Sequence, residues 1–422
     1  MGSERWGTYG RRPLVVLSLV AFVDSVDRGI LPGVLSDVQD DLGFSDFQAG
    51  LLGTAFVLAS FLVVVPAGYL ADRTSRTKTI AVVLASWGAL SMANAAVTGF
   101  AQFLAVRALL GVGETVDNPA SQSLIADYYP AATRGRAYAW QRAAPLFGTA
   151  FGTAIGGLVA ALTSWRWAFL LVGAPGSLLA VACWRLPQPT RGESDEATEV
   201  RERRGAREDI RAVLAIAPLR ALMFGTAIAS GALAGIGFWA PSFYDRHTSL
   251  TKDQAAGIVG ALILLGAIAG TLLGGVLLDR SRLRHGRSGA AMRLAATTQC
   301  IGGVALVIAF LDVPLVVRVT MSFAGTAFVV AGFPALNAMT AEIVPASRRG
   351  MAFSVTGFFT AMAGAVSPLM IGLIADRFDF VVDGVRKGNL AHAFLIVTPL
   401  LFVGAWVLWR GQSFATPDDR TT

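Results

Sequence analysis

Asp24, Asp27 and Arg28 stand at i, i+3 and i+4 in FVDSVDRGILPGVL (22–35), so a helix would carry them on one face. The surrounding run from Pro13 to Val34 is otherwise apolar. A second apolar run, RALLGVGETVDNPA (107–120), places Glu114 and Asp117 at i, i+3, with Arg107 two turns before Glu114. Carboxylates and guanidinium groups in such surroundings do one of two things. They close as fixed ion pairs, or one carboxylate gains and loses a proton as its arginine moves. Desolvation favours the neutral acid, and a nearby Arg favours the ionised one. Glu114 is the first candidate for a proton carrier, followed by Asp27 and Asp117. Arg28 and Arg107 suit bidentate contact with a phosphate or carboxylate. Arg142 in YAWQRAAPLFG and Asp24 are further candidates for such a site. The spacing predicts that Asp27, Arg28, Arg107 and Glu114 cluster along a polar cavity.

Those groups need elements to hold them. The chain has 422 residues, 54% hydrophobic and 15% charged, whereas a soluble domain carries about 25% charged residues. Apolar runs of about 20 residues, each long enough to cross a bilayer as a helix, recur along its length. They fall at 13–34, 49–71, 78–98, 101–127, 137–162, 166–186, 213–240, 254–278, 290–311, 314–341, 351–376 and 389–410. The reading is an all-α polytopic membrane protein of about twelve transmembrane helices. A charge at the bilayer centre costs roughly 2.5–3.5 kcal/mol, so the charged faces must look at one another or at water.

The net charge of +7 does not imply a nucleic-acid partner. Most basic residues fall on the side that holds both termini. Only Arg166, Arg246, Lys252, Arg377, Arg386 and Lys387 fall in loops on the other side. The positive-inside rule then puts both termini in the cytoplasm. The first run is too long for a signal-peptide core. Cys183 and Cys300 lie in predicted spans, and His247, His285 and His392 are scattered, so no disulfide, metal site or cofactor is expected. No Ser-His-Asp, metal-ligand or phosphate-loop spacing points to an enzyme. Abundant Ala, Gly and Arg with little Lys suggest a bacterial plasma membrane.

The chain also repeats itself. GYLADRTSR (68–76) matches GVLLDRSRL (275–283), ADYYPAATRGRAY (126–138) matches AEIVPASRRGMAF (341–353), and GLVA (157–160) matches GLIA (372–375), in the same order. These matches predict two pseudo-symmetric six-helix bundles, 1–186 and 213–422, joined by a charged linker at 187–212. A substrate site is expected between the halves near the midplane. Small residues every four positions in GTAFGTAIGG (148–157) and GAIAGTLLGG (266–275) predict close helix approach.

GYLADRTSRTK resembles the signature loop of the major facilitator superfamily, and GGVLLDRSRLR resembles its weaker copy in the second half. The resemblance implies the major facilitator fold. It also implies a conformational latch around Gly68, Asp72, Arg73 and Arg76, with Asp127 and Arg134 as partners and Asp279 and Arg280 in the second copy. DSVDRGILPGVLSDVQDDLGFSDFQAGLLGTAF followed by PAGYLADR, RALLGVGET, LPQPTRGE and FWAPSFYDR are similar to the Spinster branch of that superfamily. Its pattern has Asp-Arg where Asp27 and Arg28 stand, and a glutamate where Glu114 stands.

The Spinster resemblance implies proton-coupled transport of a lysolipid-like amphiphile, either a lysophospholipid or a phosphorylated sphingoid base. A monomer in contact with membrane lipids is implied as well. Trp239 in GIGFWAPSFY and Phe358 in TGFFTAM are candidates for an apolar tail pocket. Two alternatives stay open: a proton-coupled symporter of small organic anions, and a drug/proton antiporter.

Overall fold

The computed structural model describes residues 6, 8–190, 206–285, 290–345, 348–382 and 385–412; within these, the side chains of 62–73, 113–119, 131, 206, 207, 209, 282–285, 382, 385 and 386 lie outside the described set. The described residues are almost wholly helical. In order, the helices are α1 (Arg12–Leu42), α2 (Asp46–Arg73), α3 (Arg76–Ala93), α4 (Phe100–Tyr128), α5 (Ala131–Leu162), α6 (Trp165–Trp184) and the short α7 (Ala206–Ala215). There follow α8 (Ala217–His247), α9 (Lys252–His285), α10 (Ala290–Phe310), α11 (Leu315–Ile343) and α12 (Arg349–Arg377). A small antiparallel hairpin, β1 (Phe380–Val382) and β2 (Val385–Lys387), precedes α13 (Leu390–Val397) and α14 (Pro399–Gly411).

The twelve apolar runs map onto α1–α6, α8–α12 and the α13–α14 pair. Among the described residues, nine helical stretches are long and apolar enough to cross a membrane. At 31 residues α1 is long enough, but Asp24, Asp27 and Arg28 interrupt its apolar character. Several boundaries differ from those read in the sequence, three of them for a visible reason. The first helix runs to Leu42 rather than Val34, because its acidic last turns find basic partners. It stops at Gly43, whose φ of 67° suits a residue without Cβ, and the Gly43 N–H donates to the Gln39 carbonyl. The seventh run starts at Ala217, preceded by α7 in the expected linker. The twelfth run is broken between Thr398 and Pro399, where a proline without an N–H restarts the helix.

Two compact units emerge. One comprises Met1–Phe44, Leu51–Arg201 and Ser249–Gly260; the other comprises Ser45–Gly50, Glu202–Thr248 and Ala261–Thr422. Each is built by the same pairings. In the first, α1 packs on α5 and α6, and α3 packs on α4 and α6. In the second, α8 packs on α12 and α14, and α10 packs on α11 and α14. With α8 taken as the counterpart of α1, the two sets of contacts are the same. The sequence repeats therefore report a repeat of packing.

Glycine sets how near the helices come. Gly29 and Gly33 of α1 lie against the backbone carbonyls of Thr149 and Thr153, while Gly152 of α5 lies against that of Val26. In the second unit, Gly270 and Gly274 of α9 lie against the carbonyls of Ala327 and Ala331 on α11. Backbones this close leave no room for a Cβ.

Candidate functional site

Three helices of the first unit converge on Asp27. It is fully buried. One carboxylate oxygen accepts a hydrogen bond from Ser91 Oγ of α3 at 2.5 Å. The other faces a terminal guanidinium nitrogen of Arg107, on α4, at 3.4 Å. Arg107 is itself buried, and its Nε has no hydrogen-bond partner among the described residues. Position explains the pairing. The paired glycines hold α1 hard against α5, which leaves the Asp27 face turned toward α3 and α4.

Arg28 does not join Asp27, contrary to the expected cluster. Successive residues on a helix point about 100° apart, so Arg28 turns away and pairs at 2.7 Å with Asp24, its i−4 neighbour. The Arg28 side chain is 43% exposed and that of Asp24 16%. Phe56 of α2 ties the two pairs together, with the Arg107 Cζ 5.3 Å and the Arg28 Cζ 5.9 Å from its ring centroid. Such distances fit cation–π contact from both cations. The backbone of α2 comes this near because Gly111 of α4 lies against the Phe56 carbonyl. Glu114 and Asp117 lie on α4 beyond Arg107, and their side chains fall outside the described residues.

The other expected residues are dispersed. Arg142 is exposed on α5, about three turns from its start, because α5 begins at Ala131 rather than at 137. Trp239 does not line a tail pocket: it is fully buried, and its Nε1 donates to the Pro368 carbonyl at 2.9 Å, which fastens α8 to α12. Phe358 stands half-exposed on α12, edge-on to Phe359.

Of the latch residues, Gly68, Asp72 and Arg73 fall outside the described side chains. Arg76, expected in the latch, is buried at the start of α3. It donates to Asp127 at 2.5 Å, to Ser123 Oγ at 2.7 Å and to the Pro189 carbonyl at 3.1 Å. Asp127 is thus engaged by Arg76, while Arg134 Nε donates to the Tyr129 carbonyl. Asp279 and Arg280 are exposed on the last turns of α9. Among the described residues, no His, Cys, Asp and Glu group has the makings of a metal site.

Besides the Arg166–Asp41 pair at 2.6 Å, two further ion-pair sets escaped the sequence reading. In the second unit, Arg246 at the end of α8 forks onto Asp46 at the start of α2, at 2.6 and 2.8 Å, with both side chains buried. Asp376 of α12 accepts from the Asp46 and Phe47 amides there and so caps α2. In the first unit, Lys252 at the start of α9 bridges Asp37 and Asp40 on the last turns of α1, at 3.0 and 2.7 Å. Arg246 and Lys252 had registered only as loop charges. The i, i+3 spacing of Asp37 and Asp40 was the available signal for the second set. No local pattern marks the first.

The model of the Major Facilitator Superfamily matches residues 17–332 and 253–421. Protein spinster of Drosophila melanogaster is 30% identical over 292 residues, which span 66% of this chain and 46% of that protein. A D-galactonate transporter of Escherichia coli is 22% identical, over 94% of both chains. A sphingosine-1-phosphate transporter of Danio rerio is 26% identical, over 97% of this chain and 86% of its own. Among solved structures, a bacterial homolog of the human lysosomal transporter Spinster superposes with a TM-score of 0.82 at 22% identity, over 97% of both chains. Matched along most of its length by the family model and in fold by that structure, the chain belongs to the Major Facilitator Superfamily, with Spinster proteins among its relatives.

Proposed function

We propose that this protein is a secondary active transporter that moves a lysolipid-like amphiphile by alternating access, coupled to protons. The observation that carries the reading is the arrangement around Phe56. A buried carboxylate, Asp27, is held by Arg107 and Ser91, while Arg28, on the other edge of the same ring, stays partly open. A buried, paired charge and an accessible cation on one aromatic suit two tasks. Arg28, with Arg107 behind it, receives an anionic head group. Asp27 and Glu114, two turns past Arg107 on α4, carry the proton, because a head group that draws Arg107 away leaves a buried carboxylate that must protonate. The charge distribution orients the monomer in the plasma membrane with both termini cytoplasmic. The Spinster and sphingosine-1-phosphate transporter relatives favour an amphiphile.

A second reading, symport of a small organic anion, is favoured by the D-galactonate transporter, which matches along nearly the whole chain. Flux in proteoliposomes separates the two. Labelled lysophosphatidylglycerol should cross in a protein-dependent manner, with competition that strengthens as the competitor's acyl chain lengthens. Flux of a sugar acid such as D-galactonate without lysolipid flux would overturn the amphiphile reading in favour of the anion.

A further inference from the structure

A second basic and aromatic arrangement lies at the opposite end of the first unit's α1–α5 pair from the acidic turns, apart from the Asp27 site. A groove of about 560 Å³ runs between the first turns of α1 and those of α5, within the size range of small-molecule sites. At its mouth the buried Trp6 is flanked by two guanidinium groups, Arg11 Cζ at 5.3 Å and Arg136 Cζ at 5.2 Å from the ring. Trp6 is fixed edge-on to Tyr129, whose hydroxyl accepts from the Leu14 amide at 2.9 Å. Neither Arg11 nor Arg136 has an ion-pair partner among the described residues, and no described carboxylate lines the groove.

Deeper in, the walls turn apolar. Val15 and Leu19 of α1 face Trp140 and Phe147 of α5, all four exposed. Ser18 also lines the groove, and its Oγ is buried without a hydrogen-bond partner among the described residues. From Arg136 to Phe147, α5 rises about 16 Å, close to the ~15 Å hydrocarbon depth of one leaflet.

We infer that this groove binds an anionic phospholipid of the leaflet at the N-terminal end of α1, which the proposed orientation makes cytoplasmic. The phosphate contacts Arg11 and Arg136, the two exposed guanidinium groups that flank Trp6. The acyl chains run along Val15, Leu19, Trp140 and Phe147. Charge complementarity selects the occupant: two guanidinium groups without counter-charges among the described residues open onto an apolar channel of leaflet depth, which suits a lipid anion better than a soluble one. The site is separate from the one that handles transported substrate.

Competition between phosphatidylglycerol and phosphatidylcholine for the detergent-purified protein, read by native mass spectrometry, tests this. The wild type should retain phosphatidylglycerol in preference. R11Q/R136Q should lose roughly thirtyfold of that preference, in line with two basic contacts to an anionic lipid. R293Q/R410Q, which removes two arginines away from the groove, should keep it. Equal retention by R11Q/R136Q, an equal loss in R293Q/R410Q, or displacement by glycerol phosphate alone would overturn the assignment. Should R11Q/R136Q fail to fold, phosphatidylglycerol with a photoreactive acyl chain decides on the wild type. Adducts should concentrate in residues 15–22 and 140–147, and adducts spread evenly over the helices would reject the site.

Discussion

Asp27 and Arg107 meet across α1 and α4 at 3.4 Å, with Ser91 closing the far side of the carboxylate. The neighbour of Asp27 in sequence, Arg28, answers to Asp24 instead. Thus α1 takes part in two charge pairs of unlike exposure, one sealed against α4 and one open.

The sealed pair has an energetic signature. Removal of one partner leaves an uncompensated buried charge, which costs about 3–5 kcal/mol. Arg107→Ala and Asp27→Ala should therefore each lower thermal stability strongly, and the double variant should recover part of the loss. A double-mutant cycle in detergent measures the coupling, and additive losses would show that the two groups do not interact.

Asp46 and Arg246 should behave alike, for the same reason. Asp46→Ala or Arg246→Ala should cost about 3–5 kcal/mol, while Asp24→Ala, which breaks the partly exposed pair with Arg28, should cost only about 0–1 kcal/mol. Unfolding midpoints of the three variants test the ranking. Gly388 offers an independent check: a Cβ there would strike the Asp46 carboxylate, so Gly388→Ala should mimic loss of the pair.

The α1–α5 contact should be intolerant of bulk. Gly152 lies against the Val26 carbonyl, so Gly152→Val must force the helices apart at a cost of about 1–3 kcal/mol or more. Gly257, which has open space around it, should accept alanine with little change. Expression level and unfolding temperature of the two variants read the difference.

Asp41 supplies a pH-dependent contribution outside the membrane. The Arg166 guanidinium, which donates to it at 2.6 Å, holds its carboxyl below the usual range, and Trp165 Nε1 adds a second donor. A depressed carboxylate stabilises the fold above its unfolded pKa of about 3.9, and that contribution is lost as pH falls through the lower folded value. The stability gap between wild type and Asp41→Asn should be present at neutral pH and close as pH falls below about 4. Because the pair is exposed, the gap should be small. A gap that widens in acid would contradict the assignment.

Local pattern explains what could be read from the chain. Apolar runs and their repeats located the helices, because a bilayer demands about 20 apolar residues whatever the fold. The i, i+3, i+4 spacing put Asp24, Asp27 and Arg28 on one side of α1. It did not assign partners, since neighbours on a helix diverge and Asp27 reached across to α4. Ser91 gave no signal, because a serine in an apolar run reads as packing. Arg246 and Asp46, 200 positions apart, could be joined only by tertiary structure. Trp239 looked like a pocket aromatic and proved to be a fastening between α8 and α12.

Coupling is the step on which the proposed transport reading depends. The measurement is lysophosphatidylglycerol flux into proteoliposomes, with and without an imposed pH gradient, for wild type, Glu114→Gln and Asp27→Asn. The gradient should accelerate wild-type flux, while both variants should still bind substrate and lose the acceleration. Gradient-driven flux that persists at the wild-type level in both variants would contradict a proton path through the α1 and α4 carboxylates.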